Sequence, residues 1–61
     1  MPFINIQMLA GKTVEQKAEL AKAITDAFVE IANSKPEAVS IIFSDIQKSD
    51  LAKAGQLISR S

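Results

Sequence analysis

From Phe3 to Met8 the chain alternates, with Ile4, Ile6 and Met8 forming an apolar row and Phe3, Asn5 and Gln7 a mixed one. A period of two with one apolar face predicts a half-buried strand over residues 2–8. Ala10-Gly11-Lys12 supplies a turn, and Thr13 with Gln16 three positions later has the capping-box pattern that opens a helix. The period then changes. Val14, Leu20, Ala21, Ile24, Ala27, Phe28 and Ile31, joined by the stem of Lys17, recur at helical spacing and predict a helix over 14–33 with one apolar stripe. Alanines at 18, 23, 27 and 32 add helix propensity and permit close approach of a neighbour. Glu19–Lys22 and Lys22–Asp26 fall three and four residues apart on the polar side, spacings that suit ion pairs. Asn33-Ser34-Lys35-Pro36 ends the helix, because proline forbids its continuation. Alternation returns from Val39 to Asp45, with Val39, Ile41 and Phe43 on one face and Ser40, Ile42 and Ser44 on the other. This predicts a second strand. The tail from Ile46 to Ser61 is polar with isolated apolar residues and predicts a short hairpin or an arm over a neighbouring subunit.

One helix between two strands is a crossover, which makes the strands parallel. The expected fold class is therefore α+β, a single β-α-β domain over residues 1–61. Two strands under one helix do not make a stable sheet alone. A second copy alongside would give a four-stranded sheet across a dimer.

Composition sharpens that expectation. A chain of 61 residues has little interior, and chains of this size usually lean on disulfides, metal or self-association. There is no cysteine and no histidine, and the seven acidic residues are scattered without a metal-binding pattern. Self-association remains, and 48% apolar content is high for so small an interior. No metal or cofactor is expected. The formal charge is zero, with lysines dispersed among acids, so no basic face for nucleic acid or polybasic membrane anchor is expected. No apolar run approaches the length of a membrane span, and no basic segment precedes the first one as in a signal peptide. The expected location is the cytoplasm.

Pro2 is the candidate for chemistry. A small second residue suits methionine removal, and loss of Met1 would leave Pro2 with a free secondary amine on a rigid ring. A chain-terminal amine titrates near about 7.7 to 8.0, well below lysine, so modest desolvation favours its proton-accepting form near neutral pH. Proline also fits the first position of a strand for purely structural reasons.

Pro2 opening a strand, the run Leu9-Ala10-Gly11-Lys12-Thr13, then Glu15-Gln16-Lys17, and the strand Val39–Asp45 followed by Lys48 and Gly55 resemble the 4-oxalocrotonate tautomerase family over essentially the whole chain. The resemblance implies β-α-β subunits paired into four-stranded sheets and assembled as a homohexamer, a trimer of dimers, or as a smaller oligomer. It implies cofactor-independent enol–keto tautomerisation of a small 2-hydroxydienoate or 2-oxoacid, with Pro2 as the general base. Lys12 falls where the family has an arginine for a distal carboxylate. Ser40 falls where a second arginine engages the substrate carboxylate and 2-oxo oxygen, and Leu51 where an aromatic residue shields the site. Lysine keeps the charge but loses the bidentate fork. These three departures point to a changed substrate, preferably with one carboxylate, or to weak promiscuous tautomerase activity. They leave two alternatives: a non-catalytic oligomeric member, or a hydratase or dehalogenase of a small unsaturated acid, for which Asp45 and Asp50 are the acids nearby.

Overall fold

The computed structural model describes residues 1–60. Strand β1 spans Phe3–Leu9, helix α1 Val14–Ala32 and strand β2 Ser40–Ile46. β1 and β2 pair in parallel, from Phe3 opposite Ser40 to Leu9 opposite Ile46. This is the expected β-α-β architecture, with each strand shifted one residue toward the C-terminus of its expected range. Single turns of 3-10 helix at Pro36–Ala38 and Lys48–Asp50 bracket β2. The tail forms the expected hairpin, β3 (Ala52–Lys53) against β4 (Gln56–Leu57), followed by a turn of 3-10 helix at Ile58–Arg60.

The helix starts where its sequence says it should. The Thr13 side chain accepts from the Gln16 amide at 3.1 Å, and the Gln16 side chain accepts from the Thr13 amide at 2.9 Å. Two otherwise orphaned donors are satisfied reciprocally. Asn33 closes the helix in the left-handed region at φ 56, a conformation asparagine tolerates better than most residues. Lys22 and Asp26 form the i,i+4 pair at 2.8 Å.

Register assigns the sheet's two faces. Ile4, Ile6 and Met8 share one face with Ile41, Phe43 and Asp45, and Lys17 of α1 reaches Asp45, so this is the face under the helix. The apolar residues of this face are half-buried. On the other face, Phe3 is 65% exposed and Ile42 52%. The helix itself corrects one expectation. Lys17, Ala21, Ile24 and Phe28 pack inward, but Val14, Leu20 and Ile31 are exposed, with Ile31 at 85%. The apolar stripe is wider than the two-stranded sheet beneath it. Among the described residues no side chain is fully buried.

Candidate active site

Pro2 lies at the entry of β1 and is half-buried. Its carbonyl accepts a hydrogen bond from the Ser40 amide at 3.0 Å, which ties the start of β1 to the start of β2. The ring therefore sits on a fixed strand end, with the chain direction placing its nitrogen outward from the sheet. Ser40 reaches Pro2 through its backbone. Its side chain shares the face of Phe3, whereas Pro2 shares the parity of Ile4 on the helix side. The Ser40 hydroxyl thus leaves on the face opposite its own Pro2. The amide contact was not foreseen from the sequence; only the register reveals it.

Lys12 and Leu51 lie at the other end of the sheet. Lys12 is exposed in the loop from β1 to α1, with no ion pair among the described residues. It borders an open cleft of about 420 Å³ with Gln16, Glu19, Leu20 and Ala23. Leu51 is half-buried after the Lys48–Asp50 turn, and its carbonyl accepts from the Ile58 amide at 2.9 Å. It lines a cleft of about 400 Å³ with Gln7, Met8, Leu9, Ile46 and Asp50. The seven residues of β1 separate these groups from Pro2 by roughly 20 Å at the usual strand rise. One protomer therefore places Pro2 and Ser40 at one end of the sheet and Lys12 and Leu51, each on its own cleft, toward the other. Strand length carried this signal in the sequence already, since Lys12 follows β1 and Pro2 precedes it.

Asp45 and Asp50, at the far end of β2 and beyond it, stand apart from Pro2 as well. Asp45 is engaged by Lys17 at 2.9 Å, and Asp50 lies by Leu51.

The family model for tautomerase enzymes matches residues 2–60. A probable tautomerase of Lactococcus lactis is 35% identical over 57 residues, covering 93% of both chains. The 2-hydroxymuconate tautomerase of Bacillus subtilis is 32% identical over 59 residues, covering 97% of this chain and 95% of that one. Among solved structures, a homologue of 4-oxalocrotonate tautomerase superimposes with a TM-score of 0.91 at 30% identity, covering 98% of both chains. A heterohexameric 4-oxalocrotonate tautomerase from Chloroflexus aurantiacus does so at 0.86 and 29%, covering 97% of this chain and 95% of that one. With a family model spanning nearly its full length and relatives matched end to end, this β-α-β chain belongs to the tautomerase family.

Proposed function

We propose that the protein is a cofactor-independent enol–keto tautomerase of a small 2-hydroxydienoate or 2-oxoacid carrying one carboxylate. After removal of Met1, the Pro2 nitrogen takes the proton of the enol hydroxyl, and a proton is returned to carbon. The reaction is an isomerisation in which one proton is moved and none is consumed, so one base near neutral pH suffices. The observation that carries the reading is a family member's proline at a strand entry, pinned by the Ser40 amide with its nitrogen end leading out of the sheet.

The separated groups fit a site shared between protomers. If two sheets pair antiparallel along an open strand edge, the Pro2 end of one lies beside the Lys12 and Leu51 end of the other. Lys12 would hold the carboxylate, and Leu51 would exclude water, which keeps the amine in its neutral form. Ser40 side chains, leaving on the uncovered face, would address a ligand held by a neighbouring protomer. A homo-oligomer, a dimer or a hexamer built from dimers, is thus part of the reading, with the cytoplasm as its setting. Relatives that include a heterohexameric tautomerase support an assembled form.

The test begins with intact mass, which shows whether Met1 is absent. The trimmed protein should convert phenylenolpyruvate to its keto form, and Pro2→Ala should lower kcat/KM by about a hundredfold or more while leaving the circular dichroism spectrum unchanged. Equal rates for the two proteins would remove Pro2 from the chemistry. Absence of turnover in trimmed protein would favour the non-catalytic oligomer, a reading motivated by Lys12 and Ser40 at the family's arginine positions.

A further inference from the structure

The loop that carries Lys12 has little to hold it in place. Gly11 sits at φ 126, and nothing lies within 4 Å of where a side chain would begin. Lys12 itself is exposed. The loop's position is therefore set by its two ends. At the strand end, the Ala10 amide donates to the Ile46 carbonyl at 2.9 Å. At the helix end, the Thr13 capping box and the Lys17 amide, which donates to Thr13 at 3.0 Å, define the first turn of α1. These bonds shape each end of the loop, and none of them joins the helix to the sheet.

Beside the inward packing of Ala21, Ile24 and Phe28, a polar bond links helix to sheet, with Lys17 donating to Asp45 at 2.9 Å across 28 residues of sequence. Asp45 is the residue before Ile46, so both tethers of the loop end at one point on β2. The placement is unusual for a structural contact. Asp45 continues the row of Ile41 and Phe43 on the helix-covered face, and Lys17 lies on the inward stripe of α1 with Ala21 and Ile24. The side chains are 25% and 41% exposed, so the pair adds little stability of its own and apolar residues at both positions should be tolerated. What the pair supplies is a link of limited reach between the first turns of α1 and the end of β2.

We infer that the Lys17–Asp45 pair is a positioning device for the Lys12 loop, setting how firmly a substrate carboxylate is held. This rests on the reading of Lys12 as the carboxylate-binding cation. Lys17 and Asp45 touch neither substrate nor reacting atoms; they act by fixing where Lys12 can stand. The pair also ties the loop to the end of β2.

The experiment separates binding from chemistry by working in the trimmed Pro2→Ala background. Dissociation constants are measured by NMR titration for phenylpyruvate and for its uncharged methyl ester. In the double variant Lys17→Met/Asp45→Leu, the phenylpyruvate constant should rise about three- to tenfold, the ester constant should stay unchanged, and urea stability should change little. Amide exchange at Ala10 and Thr13, whose hydrogen bonds close the two ends of the loop, should accelerate while β1 does not change, and Lys17→Arg should keep parental binding. Adding Lys12→Ala to the double variant should cost little more, because both changes remove the same interaction. Unchanged phenylpyruvate binding in the double variant would overturn the inference, as would equal weakening of acid and ester. Parental protein that binds acid and ester alike would instead strike down the carboxylate role of Lys12, and this inference with it. Loss of Pro2 dependence in turnover would strike at the catalytic reading alone.

Discussion

Lysine at position 12 is a point charge on a flexible stem, where an arginine would present a planar fork. Recognition by a single ammonium discriminates charge well and shape poorly. Lys12→Ala should therefore raise KM for phenylenolpyruvate about tenfold while leaving kcat within about twofold, since the lost interaction is equal in ground and transition states. Steady-state rates on an uncharged enol analogue provide the control, and an identical effect on both substrates would remove Lys12 from the carboxylate role. A different residue carries a conformational cost. Ala54 has φ 52 and Gly55 φ 80, the pattern of a type I′ turn between β3 and β4. Glycine adopts that region freely, but alanine does so against its Cβ. Asparagine tolerates the left-handed region, so Ala54→Asn should stabilise the protein by about 0.5–1 kcal/mol. Urea denaturation at matched protein concentration reads this, and an unchanged or lower midpoint would show that the turn is not strained.

At the scale of elements, α1 depends on its first turn. Thr13→Ala removes the acceptor for the Gln16 amide and half of the capping box, so it should cost about 1 kcal/mol. The urea midpoint should fall with an unchanged slope, and Thr13→Ser should recover most of the loss. Thr13 was legible in the sequence because its bonds are local. The same holds for β1, α1 and β2, whose periods of two and 3.6 need no knowledge of neighbours. What was not legible depends on partners far along the chain. Val14, Leu20 and Ile31 read as one stripe with Ile24 and Phe28, but a two-stranded sheet covers only part of that arc. The Ser40 amide on Pro2 and the Lys17–Asp45 pair follow from the register of parallel strands, which no local pattern specifies. The 3-10 turns beside β2 also lacked a periodic signal, being three residues each. For the candidate site, residue types could be nominated from the sequence, but their division between two ends of a strand emerged only when strand length was considered.

At the scale of the whole molecule, the surface left open favours the proposed division of the site between protomers. The subunit exposes 4858 Å², whereas a compact monomer of 6.6 kDa would expose about 3,900 Å². Its radius of gyration is 14.8 Å, against about 10.5 Å for a compact chain of this length. The excess surface, about 1,000 Å², is of the order each partner contributes to a standard interface. It includes Phe3 and Ile42 on the open sheet face and Ile31 on the helix, beside the unpaired strand edges. Such a subunit lacks enough interior of its own to offset the entropy of folding. Folding and association should therefore be one equilibrium. The thermal midpoint should rise with protein concentration, because mass action favours the assembled state. Sedimentation at micromolar concentration should show a dimer or larger, and dilution should lose assembly and helical signal together. A charge placed on the open face, as in Ile42→Lys, should lower the midpoint at a given concentration and weaken its rise. Were the protein a folded 6.6 kDa monomer at micromolar concentration, with a midpoint independent of dilution, both the assembly and the site shared between protomers would fall, because Pro2 and Lys12 could then never meet.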